Sequence, residues 1–190
     1  MSNKVDKIKI FDDVFKYSNR MSIYELTLNS KFKIGWQDTN IIEHREKIFM
    51  HSEWENKMVI KDILPLIKNK NLLELIDGRY PFKSIVNCTT VNDIYLPHTH
   101  PEQNVLLYYI NLEWKQEWYG ETQFYSEDLK EIIFTNQYVP GRVIWFDGEI
   151  PHTIKTQSFS APKFRFSLSI FFDRGDCDVR DKSRIPKKDG

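Results

Sequence analysis

Net charge, cysteine and long apolar runs are all missing or scarce in this chain of 190 residues. Lys+Arg and Asp+Glu both number 27, so the formal net charge is zero. A chain without a basic excess lacks the field that captures nucleic acid or an acidic membrane surface, and neither is expected as a partner. Only two cysteines occur, Cys88 and Cys177, far apart and outside any CxxC. That excludes a disulfide scaffold and a zinc knuckle. No stretch approaches the ~18 uninterrupted apolar residues of a membrane span. Residues 1–10 (MSNKVDKIKI) scatter charges where a secretory leader carries an apolar segment. The expectation is a cytoplasmic protein in a reducing compartment.

Aromatic residues, by contrast, are abundant, at 14% of the chain within a hydrophobic total of 41%. At this length one domain spanning residues 1–190 is expected. Its parts divide into a strand and helix support (1–80), a core (81–172) and a charged tail (173–190). Residues 8–15 begin as an apolar strand and reach paired aspartates, while residues 23–28 (IYELTL) alternate with period two and predict a second strand. Between Ser52 and Asp77 apolar residues recur at three and four residue steps, broken at Pro65 and at 68–70. Two short helices ending at Gly78 are predicted there. After Pro81 the pattern is strand and turn: 83–86, 94–98, 105–111, 122–125, 131–134, 142–146, 152–155 and 163–172. Eight short strands predict a mainly β sandwich or jelly roll behind the N-terminal helices. The tail, with its basic Lys187 and Lys188, reads as a disordered terminus.

The histidines carry the first chemical signal. His98 and His100 form an HxH at the end of the strand predicted over 94–98, and alternation sends residues two apart to one face. His152 follows a turn that opens another predicted strand, far enough along the chain for the intervening strands to bring it alongside. Imidazole suits iron, zinc, copper or nickel, so ligand type alone selects no metal. An HxH by itself is more often a surface or turn feature, and His44 and His51 receive only that reading. The second signal is Arg165-Phe166-Ser167 within the last apolar strand, which puts Arg165 and Ser167 on one face. A buried guanidinium needs an anion, either a structural carboxylate or a small dicarboxylate whose fork matches it.

Taken together, LPHTH, LLYYINLEW, W-Y-GET-F, PGRVIWFDGEIPH and RFSLS resemble the double-stranded β-helix core of the iron(II)- and 2-oxoglutarate-dependent oxygenases, in the prolyl-4-hydroxylase-like branch. The match runs from Tyr95 to Phe172. The resemblance implies that His98, His100 and His152 bind Fe(II) and that Arg165 and Ser167 hold the distal carboxylate of 2-oxoglutarate. It also implies O2 as co-substrate. Tyr109 falls where many members offer a hydroxyl to that carboxylate, and it reads equally as a core aromatic. Gly120-Glu121-Thr122, Gly141-Arg142 and Asp147-Gly148 match turns that are structural, while Trp114, Trp118 and Trp145 read as core or pocket wall.

One departure matters. The family's second ligand is a carboxylate, and His100 stands in its place, unless Glu102 reaches in to form an H-x-E pair with His100. A neutral imidazole leaves the metal site one charge unit more positive. Two alternatives stay open: a cupin-like metal protein with three histidines, and a jelly-roll binding module without turnover. The substrate, small-molecule or peptidyl, and the oligomeric state are not legible in the sequence.

Overall fold

The structure is a computed structural model that describes residues 4–35, 50–93 and 95–174. Its strands, in chain order, are β1 (Ile8–Phe11), β2 (Lys33–Ile34), β3 (Met50–Glu53), β4 (Pro81–Thr89), β5 (Gln103–Tyr109), β6 (Thr122–Tyr125), β7 (Ile132–Asn136), β8 (Val143–Asp147), β9 (His152–Ile154) and β10 (Arg165–Asp173). Seven form one sheet in the order β1-β8-β5-β10-β4-β3-β2, and three form a smaller one in the order β7-β6-β9. The described pairings are antiparallel. This is the expected jelly roll, with the helices gathered in the N-terminal part.

Apolar residues occupy both faces of the central strands because both faces are covered. Along β10 every residue but the last is buried. Phe166, Leu168, Ile170 and Phe172 join one core, shared with Val86 of β4, Leu106 and Tyr108 of β5, and Val143 and Trp145 of β8. The helices close that layer: Ile23 of α1 (Tyr17–Leu28), Val59, Ile63 and Ile67 of the middle segment, and Leu72 and Ile76 of α2 (Lys70–Ile76). The opposite parity faces the smaller sheet. There Ile85, Leu107, Tyr109, Ile144, Phe146 and Phe171 pack against Phe124 of β6 and Tyr138. Arg165, Ser167 and Ser169 have that same parity, so the polar residues of β10 line the inside of the barrel.

The turns follow local chemistry. β1 ends at the aspartate pair, where Asp13 takes φ +51°. Asn69 caps α2 by accepting from the Leu72 N–H at 3.1 Å, and Gly78 leaves the helical segment at φ +69°. Pro65 sits where a short π turn (Val59–Ile63) passes into a 3-10 turn (Leu64–Leu66), since proline cannot supply the N–H that an α-helix needs there. Cys88 is buried in β4, with its side chain in the helix-facing core.

Three sequence expectations change. Residues 23–28 belong to helix α1 and are not a strand. Ile23 and Thr27, one turn apart, are its buried residues, and the Thr27 hydroxyl donates to the Ile23 carbonyl at 2.9 Å. Six residues of alternation fit a strand and one helix face equally well, and tertiary packing decides. Residues 95–98 do not form a strand, His98 making only an isolated bridge, and Ile94 lies outside the described residues. Strands β2 and β3 come from segments too short or too polar for the pattern to register. The last strand also continues through Asp173, into the segment read as tail, whose remainder from residue 175 lies outside the described residues. His44 and Cys177 lie outside them as well.

Leu168 is 1% exposed between sheet and helices, so Leu168→Ala should lower unfolding free energy by about 2–5 kcal/mol. Urea denaturation followed by tryptophan fluorescence measures this; a loss under about 1 kcal/mol would mean that the helical layer collapses onto the gap.

Candidate functional site

Three imidazoles meet at one end of the barrel. His98 and His152 exchange both backbone hydrogen bonds, the His98 N–H donating to the His152 carbonyl at 3.1 Å and the His152 N–H to the His98 carbonyl at 3.0 Å. Residues paired in this way present their side chains to one face, and the two rings lie 4.6 Å apart between centroids. His100 is set by another bond: its N–H donates to the Gly148 carbonyl at 2.7 Å, while the Gly148 N–H donates to Gln103 at 2.8 Å. Only glycine fits this seat, since a Cβ on residue 148 would lie 2.4 Å from the His100 carbonyl oxygen and 2.9 Å from that of Gln103. The His100 ring comes to 5.0 Å from His98 and 5.2 Å from His152.

The second nitrogen of two rings is already committed. His152 Nδ1–H donates to the Ile150 carbonyl at 2.8 Å, and His98 Nδ1–H to Leu96 at 3.2 Å. A carbonyl can only accept, so these bonds place the proton on Nδ1 and the ring's lone pair on Nε2. Ligand atoms of the three histidines lie within 4.8 Å of one another. A metal held about 2.1 Å from each nitrogen sets their separations at ~3.0 Å for octahedral and ~3.4 Å for tetrahedral angles, so the widest pair would close by up to ~2 Å on binding. Burial, with the neighbouring His98 and His100, drives His152 well below the usual imidazole range. Burial first, then His98 and Lys83, takes His100 to about 3. Both are therefore neutral at pH 7, as a metal ligand must be. Phe146 and Phe124 lie against His152, with centroids at 4.7 and 6.0 Å, and Phe171 meets His100 edge-on at 4.9 Å. Glu102 is exposed, takes φ +60° in the turn after His100, and is not in the cluster. His51, in β3, lies outside the cluster as well.

Arg165 lies deeper and is fully buried. Its Nε donates to the Gly120 carbonyl at 2.9 Å, and Nη1 reaches Ser167 Oγ at 3.5 Å. The guanidinium rests over the Tyr138 ring at 4.6 Å and over the Tyr109 ring at 5.4 Å. Among the described residues no carboxylate pairs with it, and its Nη2 is buried without a partner. A buried cation with an unspent N–H is unfavourable on its own and fits an incoming carboxylate. Ser167 stands opposite Tyr109 across the β10–β5 ladder. The Tyr109 hydroxyl shares a 2.7 Å bond with Thr122 Oγ1 and accepts from Asn136 Nδ2 at 3.1 Å. Strand β6 connects the two regions: Gly120 before it holds Arg165, Thr122 meets Tyr109, and Phe124 faces His152. Four residues of strand span ~13 Å, so both regions share one barrel interior.

The sequence reading missed several contributors. Gly120, taken as a turn residue, has φ +81° and packs its Cα against the Arg165 side chain and Trp114, where a Cβ would meet both at 3.2–3.3 Å. Tyr138 was not singled out; it carries the guanidinium, stacks on Tyr109 at 4.3 Å, and donates to the Phe166 carbonyl at 2.6 Å. Asn136 carried no motif. Trp145 is core and Trp114 packs on Tyr138 at 4.6 Å, as expected of wall residues.

Solved structures share this arrangement of strands. A prolyl hydroxylase from Trichoplax adhaerens, in complex with a hypoxia inducible factor oxygen degradation domain peptide fragment, superposes with a TM-score of 0.61 over 88% of this chain and 84% of that one, at 16% identity. A 2OG-Fe(II) oxygenase family oxidoreductase from Burkholderia pseudomallei gives 0.62 over 90% and 86%, at 13% identity. The fold is that of the 2-oxoglutarate and iron(II) oxygenases. HygX from Streptomyces hygroscopicus, solved with nickel and 2-oxoglutarate bound, shares the oxygenase fold with a TM-score of 0.61 over 91% and 87%, at 8% identity. No family model matches the sequence, and no curated protein matches it.

The depressed imidazoles tie metal-free stability to pH. His100 titrates near 3 in the fold against an ordinary 6.5, and His152 moves in the same direction. The unfolded chain then binds more protons below pH 6.5, so stability falls as pH drops from about 7 towards 4. Denaturant midpoints across that range should decline for the metal-free protein and flatten in His100→Gln; a wild-type profile equal to that of the variant would show that His100 is readily protonated in place.

Proposed function

We propose that this chain is an iron(II)- and 2-oxoglutarate-dependent dioxygenase, a single cytoplasmic domain over residues 1–190, that hydroxylates an unactivated C–H bond and releases succinate and CO2. The carrying observation is a fully buried Arg165 with an unpartnered Nη2 inside the same barrel as three converging imidazoles. The donor set fits iron(II), since imidazole binds it and both Nδ1 bonds orient the rings. His98, His100 and His152 would hold the metal, and Arg165 and Ser167, with Tyr109 alongside, the distal carboxylate of 2-oxoglutarate. Together with O2, this pair supplies an oxidant able to take a hydrogen atom from carbon.

The chain's own work is binding, orientation and exclusion of water. Arg165 offers the free Nη2–H to a carboxylate, while Tyr138 and the Gly120 carbonyl hold its plane. Phe124, Phe146 and Phe171 wall the imidazoles with apolar surface, which strengthens charge interactions inside. The substrate is a small molecule or a peptidyl segment; one structural neighbour is bound to a peptide and another to 2-oxoglutarate. The absent carboxylate ligand also suits a cupin-like metal protein or a binding module. Anaerobic addition of Fe(II) and 2-oxoglutarate, followed by a visible charge-transfer band, tests the primary reading. Succinate formation on admitting O2 then separates it from both alternatives, neither of which yields succinate.

Two substitution sets give sharper outcomes. Arg165→Gln should weaken 2-oxoglutarate by about 2–5 kcal/mol with the metal retained, whereas His152→Ala should abolish tight metal binding in a folded barrel. Equal 2-oxoglutarate affinity in wild type and Arg165→Gln would reduce Arg165 to a packing role. His100→Asp should keep the metal site and tighten it by restoring a negative ligand, while Glu102→Gln should leave iron titrations unchanged. A crippling effect of Glu102→Gln would transfer the ligand role to that carboxylate.

A further inference from the structure

The loop that carries His98 and His100 and the turn that leads into His152 are tied together from outside the barrel by one residue, Arg174, immediately after β10. Its backbone N–H donates to the Glu102 carbonyl at 2.9 Å. Its guanidinium bonds Asp147 through Nη2 and Glu149 through Nη1, the latter at 2.5 Å. Asp147 is a buried carboxylate, 7% exposed, that also receives Lys7 Nζ at 3.0 Å on Oδ2 and the Glu149 N–H at 3.1 Å on Oδ1. The turn so organised, 147–150, is the one whose Gly148 carbonyl holds the His100 N–H, and whose Ile150 carbonyl receives the His152 Nδ1–H. On the other side, Glu102 occupies the left-handed region at φ +60°, a conformation unfavourable for a residue with a Cβ. The Arg174 N–H is bound to that strained peptide two residues after His100.

We propose that Arg174 and Asp147 are positioning residues for the metal centre. The ion pair fixes the 147–150 turn relative to the 98–103 loop, and so sets the distance between the His100 and His152 nitrogens. The inference rests on reading the triad as a metal site but is independent of 2-oxoglutarate. Both groups are charged and their contact is partly shielded, with Asp147 buried and Arg174 half-exposed. Loss of the clamp would relax two loops without opening either core.

Cobalt(II), whose visible bands report coordination geometry, is the probe. Arg174→Gln should raise the cobalt Kd about tenfold, as loss of groups that orient ligands does, and should alter the band pattern. The melting temperature of the metal-free protein should stay near that of wild type. Arg174→Lys, which keeps the charge, should recover part of the affinity. Asp147→Asn combined with Arg174→Gln should lose less than the sum of the two single variants, because the Arg174–Asp147 pair is broken in each. Unchanged cobalt affinity and spectrum in Arg174→Gln would overturn the proposal. So would a fall in metal-free melting temperature with an unchanged spectrum, the mark of a merely structural ion pair. If Arg174→Gln does not fold, Glu149→Gln, which removes the weaker arm, carries the same spectral test. Failure of wild type to bind cobalt would instead remove the metal reading itself.

Discussion

A strand buried on both faces has to sort its side chains by parity, and β10 is that strand. Its even positions from Phe166 to Phe172 are apolar and belong to the helix-facing core. Its odd positions place Arg165, Ser167 and Ser169 in the barrel interior. A shift of one residue would carry a guanidinium into the helical layer and four large apolar groups into the cavity, so packing and site share one register. Pairing on both sides, with β4 from Thr89 to Pro81 and with β5 from Tyr109 to Gln103, makes that register the most heavily constrained in the sheet.

The imidazole cluster is built from backbone in a different way. No regular strand presents His98 or His100; a two-bond bridge and a single bond to Gly148 do so. Such a site depends on a few peptide groups staying where they are, which explains the placement of a glycine where a Cβ would collide and of a buried aspartate beside it. The barrel contributes rigidity at Arg165 and at His152, which opens β9, and leaves His98 and His100 to a loop.

Much of this was legible in the sequence because short apolar runs between turn residues report buried strands. The strands at 105–111, 142–146 and 163–172 followed from that texture, and period two put Arg165 and Ser167 on one face. The grouping of the three histidines required long-range pairing that the local pattern does not encode; the family register supplied it, and the predicted strand at 94–98 reached the right face for the wrong reason. Tyr138, Gly120 and Asn136 were illegible because they act through a ring face, a carbonyl and a side-chain amide, which leave no spacing signature. Helix α1 misled because Tyr24, Leu26 and Leu28 alternate with polar residues only by coincidence, while the face the helix buries is that of Ile23 and Thr27.

Cys88 points to a practical property of the molecule. Its thiol lies in the helix-facing core, and burial pushes its titration up to about 12, so in the closed protein it is neither charged nor reachable. Alkylation at this position has to wait until β4 parts from the helical layer. In a chain with Cys177 changed to Ser, the rate of labelling by iodoacetamide would therefore be a clock for opening of the fold, read with a mass spectrometer and needing neither metal nor co-substrate.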